Sequence, residues 1–210
     1  MLAVRPERTR DLFIPEQRHQ FEIFAALVAT ALERVHYVDV ARDALLMAGL
    51  QSGEVQLELS RQPLQQIVDG ALKSLGSVMA KFHVVNDLPP DLPPITGDAA
   101  LLERVVRSLV GNVAKHTPAG THVTLSAARV DGAIEVAIED DGPGLPKGRE
   151  DEVFESFARG EQQSNRRGAG LGLAISRAIV EAHGGTIRAE KGRERGTRIV
   201  FTLPLKPPQR

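Results

Sequence analysis

Apolar residues recur along this chain first with the period of a helix, then with helix and strand periods in alternation. Phe21, Phe24, Ala25, Val28, Leu32 and Val35 step by three and four residues. They place one apolar stripe on a helix that Pro15 opens. The stripe needs a surface, and little else before residue 50 supplies one. Docking on the domain that follows and pairing with a second copy would both satisfy it. From Gln51 the pattern changes. Residues 55–60 alternate as a strand, and Pro63 opens a helix with Leu64, Ile67, Val68, Ala71, Leu72 and Leu75 on one face. Residues 82–85 read as a short strand, and the proline-rich run 88–94 as a stiff extended connection. Asp98 stands where it can cap a helix bearing Leu101, Leu102, Val105, Val106, Leu109, Val110 and Val113. Strands are expected at 121–130 and 133–139, a polar loop at 145–167, a helix at 171–183, and strands at 186–190 and 197–203. The fold class that follows is an α/β (α+β) two-layer sandwich, a mixed sheet with helices on one face, preceded by a long N-terminal helix. The expected division is a helical segment 1–50 and a sandwich 51–210.

Chemistry enters through two glycine turns and one helix. The run Asp140-Asp141-Gly142-Pro143-Gly144 ends the alternating segment 133–139. A carboxylate at that strand end can accept a hydrogen bond from an exocyclic amine such as adenine N6. A buried site built on that bond rejects a base lacking the donor, because the carboxylate stays unpaired. Gly142 and Gly144 let the backbone turn and approach a flat ring. Gly168, Gly170 and Gly172 introduce the apolar-periodic segment containing Leu171 and Leu173. Free N–H groups at such a helix start bind phosphate without side chains. Upstream, one helical stretch carries Asn112, Lys115 and His116. The dinucleotide fingerprint is excluded, since no helix pattern follows the first turn and no βαβ unit surrounds it. A Walker loop is excluded by the absence of Gly-Lys-Ser/Thr.

From about Gln51 to its end the chain resembles the ATP-binding domain of sensor histidine kinases, of the fold shared with gyrase, Hsp90 and MutL. Residues 102–118 resemble the asparagine box, 140–144 the first glycine box and 168–173 the second. Residues 153–160, Val-Phe-Glu-Ser-Phe-Ala-Arg-Gly, resemble the phenylalanine box of the kinases. Gly196-Thr197 before a strand resembles the last nucleotide-contacting element. The wording of 157–160 and 174–185 is most similar to Kdp-type potassium and osmotic sensor kinases. The resemblance implies ATP and Mg²⁺ as ligands, with Asn112 on the metal. It implies phosphate roles for Lys115, His116 and Arg159, and a water-mediated adenine contact for Thr197. Phe154 and Phe157 are expected to anchor the loop by packing rather than to touch nucleotide. The expected partners are a phosphoacceptor histidine hairpin and a response regulator. The N-terminal helix, residues 13–46, would be the last helix of a sensory domain and could pair in a homodimer.

Two departures accompany the resemblance. None of the six histidines sits in a Ser-His-Asp/Glu-Leu-Arg-Thr-Pro-like motif, so no phosphoacceptor is identified and no catalytic residue is named. Residues 40–46 look like the run into the acceptor hairpin and 47–55 like the run out, joined directly, so the hairpin is expected to be deleted or missing across a gap. In the asparagine box, Ser108 stands where the family has its first asparagine, and Gly111 where glutamate is common. Loss of one polar group should slow transfer more than it harms binding, because phosphoryl transfer depends on positioning and charge neutralisation.

Composition narrows the alternatives. A formal net charge of −1 gives no electrostatic case for nucleic acid. Cysteine is absent, which removes a disulfide framework. Aromatic residues make up 4%, so the core must be aliphatic. No apolar run approaches the roughly 20 residues that span a bilayer. The chain is therefore expected to make no membrane contact itself and to lie in the cytoplasm as part of a membrane-associated kinase. Three readings stand: a histidine kinase ATP-binding domain, an ATPase of the gyrase/MutL/Hsp90 type, and a nucleotide-binding regulatory module without turnover. The ATPase reading is disfavoured, because those enzymes place a glutamate base where this chain has Ser108.

Overall fold

The computed structural model describes residues 37–146, 148–155 and 171–206. The chain divides into two units, Met1–Arg42 and Asp43–Arg210. Residues 37–52 are helical (α1). The rest of the N-terminal helix expected from the sequence lies outside the described residues.

The second unit is built on a five-stranded mixed sheet. Its strands are β2 (His83–Asp87), β4 (His122–Val130), β5 (Ala133–Asp140), β6 (Ile187–Lys191) and β7 (Thr197–Pro204), in the order β2-β4-β5-β7-β6. Only the β2–β4 pair is parallel. Asp131 and Gly132, at φ 47 and 82, form the tight turn between β4 and β5, an Asp-Gly turn whose twist suits a hairpin. Register fixes the faces. Leu125, Ile138 and Ile199 lie side by side across the sheet, as do Ala127, Val136 and Phe201, and all are buried. Three helices cover this face: α2 (Leu64–Met79), α3 (Ala99–His116) and α4 (Gly172–Ala182). Their buried stripes follow the 3.6-residue period, as in Leu102, Val105, Val106, Leu109, Val110 and Val113 on α3. The opposite face is charged. Arg188 pairs with Glu135 across the intervening β7, and Arg198 with Glu139 and Glu190.

Two local features differ from the sequence expectation. The first strand begins later, at Ser60–Gln62 (β1), and pairs antiparallel with β3 (Ile95–Gly97), which periodicity did not reveal. Three residues after a proline pair are too few to show a period. Ahead of β1, the Glu58 N–H donates to the Asp98 carboxylate at 3.1 Å, so that part of the expected strand is tied to a helix cap. The helix α2 is broken at Gly76, whose φ of 19° and ψ of −101° are not helical.

Asp98 caps α3 as expected, accepting from Leu101 N–H at 3.1 Å. The Asp98 N–H in turn donates to His183 Nε2 at 3.0 Å, while His183 Nδ1 lies 2.7 Å from the Ile179 carbonyl. Nδ1 therefore carries the proton and the ring is neutral, linking the end of α4 to the start of α3. Burial pushes the His183 pKa down, against opposing effects of the Ile179 bond and Asp98. A depressed folded pKa makes this stabilisation complete above the ordinary value near 6.5 and lost as pH falls through the folded value. The destabilisation caused by His183→Gln should therefore be larger at about pH 7.5 than at about pH 5.5 in chemical denaturation. A pH-independent difference would show that His183 contributes by packing alone.

Candidate nucleotide-binding site

Asp140 is the last residue of β5. Strand parity places it on the same face as Ile134, Val136 and Ile138, opposite fully buried Val123. Its side chain is buried at 8% exposure. Oδ1 accepts from Gly142 N–H at 2.9 Å, and Thr197 N–H also donates to the carboxylate. These bonds lower the pKa, but burial is the larger effect and leaves it raised. The carboxylate thus sits in a place that disfavours its charge, with acceptor capacity left over for a ligand donor. Its neighbour Asp141 faces the other way. It accepts from Arg195 at 2.8 Å and from His122 N–H at 2.8 Å, and its pKa falls to about 2, chiefly through Arg195.

The turn after Asp140 is closed by backbone contact. Gly196, at φ 78°, would put a Cβ 1.9 Å from the Asp140 carbonyl oxygen and 2.9 Å from Gly142 N. A Cβ on Gly142 would meet Thr117 Cγ2 at 2.6 Å and Asp140 Oδ1 at 2.8 Å. Gly142 is thus required for space and not for positive φ. Gly144, at φ 80°, does need the left-handed conformation that glycine tolerates.

The Thr117 contact brings the end of α3 against the Asp140 turn. Asn112 is half-buried off the α3 core stripe, and Lys115 and His116 are exposed in its last turn. One turn earlier, Ser108 Oγ lies 2.9 Å from the place a Gly172 Cβ would occupy. Gly172 is helical, so it too serves close approach rather than positive φ. A single helix therefore touches the Asp140 turn at one end and the start of α4 four residues before Asn112. At that start, Leu171 is buried, Leu173 is half-buried, and no described side chain caps the first-turn N–H groups. Open amides at a helix start suit phosphate oxygens. Arg159, Gly168, Gly170 and Phe157 lie outside the described residues.

Phe154 is buried at 3% exposure in a short 3₁₀ turn, Glu152–Phe154. The Arg177 guanidinium lies 4.8 Å from its ring centroid, which anchors the loop start on α4. The sequence pointed to Phe154 but not to Arg177, Thr117 or the Asp141–Arg195–His122 cluster. Only the apolar parity of 134, 136, 138 and 140 signalled in advance which aspartate turns inward. For Mg²⁺, no group of three or more His, Asp or Glu among the described residues could hold an ion. Asn112 would supply one oxygen while phosphate and water supply the rest, which suits the octahedral, water-retaining Mg²⁺ ion.

The model of the family described as histidine kinase-, DNA gyrase B-, and HSP90-like ATPase matches residues 97–207, from the end of β3 to beyond β7. The chain belongs to this ATPase family. Its relatives are sensor kinases. The adaptive-response sensory kinase SasA of Microcystis aeruginosa is 30% identical over 209 residues, 96% of this chain and 51% of SasA. The sensor protein KdpD of Escherichia coli is 30% identical over 271 residues, 97% of this chain and 30% of KdpD. Full-length ShkA in complex with AMPPNP superposes with a TM-score of 0.77, over 94% of this chain and 41% of ShkA, at 24% identity. That likeness bears on the fold alone. The chain spans about half or less of the length of SasA and KdpD. The unit containing residues 97–207 is the ATP-binding domain of the histidine kinase kind.

Proposed function

We propose that this domain holds Mg-ATP between the Asp140 turn, the C-terminal half of α3 and the start of α4, and presents its γ-phosphoryl to a histidine on a separate helical hairpin. The observation that carries this reading is the convergence on α3. Thr117 meets the purine turn and Ser108 meets Gly172, so the base and phosphate ends share one wall. Asp140 accepts from the adenine amine, and the Thr197 side chain joins that contact through water. Asn112 ligates Mg²⁺; Lys115, His116 and Arg159 neutralise phosphate; Gly168, Gly170, Leu171, Gly172 and Leu173 supply backbone amides.

A hairpin outside this chain fits the histidines that are described. Both ring nitrogens of His183 are engaged, and His83 stacks on His122 at 4.7 Å between centroids. The helix 37–52 runs unbroken through the expected junction after residue 46. The KdpD match extends over 271 aligned residues, at least 61 more than this chain possesses, whereas the SasA match needs no such gap. The proposal divides the chain into a helical segment 1–50 and a kinase domain 51–210. It extends to a response regulator as the phosphate's destination, to a cytoplasmic setting, and to a potassium-linked stimulus as in Kdp-type kinases. Leu45, 74% exposed on α1, supports pairing of that helix in a homodimer.

One observation favours a second reading, a nucleotide-binding module without turnover: Ser108 occupies the first asparagine position and packs against Gly172. Incubation with γ-labelled ATP and an isolated histidine hairpin separates the readings. Label on histidine is the expected result. Free phosphate without labelled hairpin supports hydrolysis of the gyrase type, and tight ATP binding with neither supports the module.

A further inference from the structure

The far end of the sheet holds a second feature. There the β4–β5 turn is joined by a Leu205 N–H bond to the Gly132 carbonyl at 3.0 Å. Asp140 lies seven residues along β5 from Ala133, about 23 Å away. An open groove of about 410 Å³ at this end is lined by Arg61, Arg129 and Lys206, with Pro93, Pro94 and Leu205 as apolar lining. Arg129 stands at a core-facing register position, opposite Ile134, which is itself opposite Leu203. Both of those residues are buried, yet Arg129 is exposed. The apolar face therefore ends in a cation and not in another aliphatic residue. Arg61 comes from β1, paired across to Thr96 of β3.

These cations differ from the arginines of the outer sheet face. Arg188 and Arg198 both hold carboxylates. Arg61, Arg129 and Lys206 hold none among the described residues. Three unpaired like charges around one groove are mutually repulsive and raise the local positive potential. The chain as a whole carries −1, so this potential is local.

We propose that the groove receives an acidic, extended segment of polypeptide, with an apolar residue seated on Pro93, Pro94 and Leu205. Small-molecule sites enclose most of their ligand, and an open groove does not. The cations and the apolar residues share one concave lining, which suits a narrow extended chain more closely than a planar bilayer surface. Proline walls are already fixed in φ, so less ordering entropy opposes docking. The proposal does not depend on nucleotide binding.

The test uses the full chain and a fluorescein-labelled peptide, Asp-Glu-Leu-Asp-Glu-Leu-Asp-Glu, followed by anisotropy at low ionic strength. Binding is expected, weakening with added salt. The Arg61→Glu, Arg129→Glu pair should reduce affinity about tenfold or more, and Lys206→Glu alone should act in the same direction. ATP affinity should be unchanged in all variants, which also shows that they are folded. The same peptide with Asn and Gln replacing Asp and Glu should not bind. The proposal is overturned if the acidic peptide fails to bind, or if charge reversal leaves its affinity intact. It is equally overturned if inorganic phosphate displaces the peptide at about millimolar concentration with the same charge dependence, or if phosphatidylserine vesicles bind in place of the peptide.

Discussion

Asp140→Asn is expected to lower ATP affinity by about two orders of magnitude. At neutral pH it should leave the nucleotide-free protein no less stable than the parent. The two halves of this expectation share one cause. Burial raises the Asp140 pKa, and the Gly142 and Thr197 amides only partly oppose it. A carboxyl group whose folded pKa is raised stabilises the fold most when protonated, and that contribution is lost as pH rises through the folded value. At neutral pH the ionised group is therefore a net burden on the empty domain. Asparagine keeps an oxygen for the two amides and removes the charge. Its NH₂, however, can be turned toward the purine amine, setting donor against donor. Titration calorimetry with ATP and thermal unfolding without nucleotide test both halves. Unchanged ATP affinity would sink the purine assignment. Strong destabilisation of the empty protein would make Asp140 a structural residue.

Gly196→Ala is expected to destabilise the domain by about 3 kcal/mol or more and to remove measurable nucleotide binding. The added Cβ would meet the Asp140 carbonyl oxygen at 1.9 Å, and both partners are backbone, so no rotamer change relieves the overlap. The ends of β5 and β7 would have to part, carrying the Thr197 amide away from the Asp140 carboxylate. Gly120→Ala is the matched control. Its φ is 86°, but nothing lies within 4 Å of the added methyl. It should show only the left-handed strain of about 1 kcal/mol, with ATP affinity intact. Urea denaturation and ATP titration of the two variants separate conformational strain from collision. Equal effects at both positions would remove Gly196 from the site.

The elements around the Asp140 turn were largely legible because their signals are local. The α3 stripe repeats over several turns, Asp98 precedes it at the cap, and two-residue parity along β5 puts Asp140 on the side of Ile134, Val136 and Ile138. What was hidden depends on closures over long stretches of chain. Arg195 reaches Asp141 across 54 residues, and nothing in either neighbourhood announces that pairing. Arg177 reads as a solvent-facing helix residue until the 3₁₀ turn brings Phe154 beneath it. Among the described residues, Gly142, Gly144 and Gly172 each have a steric or conformational reason to be glycine, and the reasons differ. Gly144 needs its φ, whereas Gly142 and Gly172 are small because Thr117 and Ser108 press on them. Sequence reports that a side chain is missing, not which neighbour would have collided with it. The β3 strand was too short to have a period at all.

The paired charges on the outer side of the sheet restrict how this domain can be assembled into something larger. Arg188, Arg193 and Arg198 pair with Glu135, Glu139 and Glu190 on and beside three strands. Laying another stratum of protein there would strip water from every one of those groups, with few new partners in exchange. Neighbouring modules are thereby directed toward the rim of the strands or the helical side, and the broad charged surface stays wet.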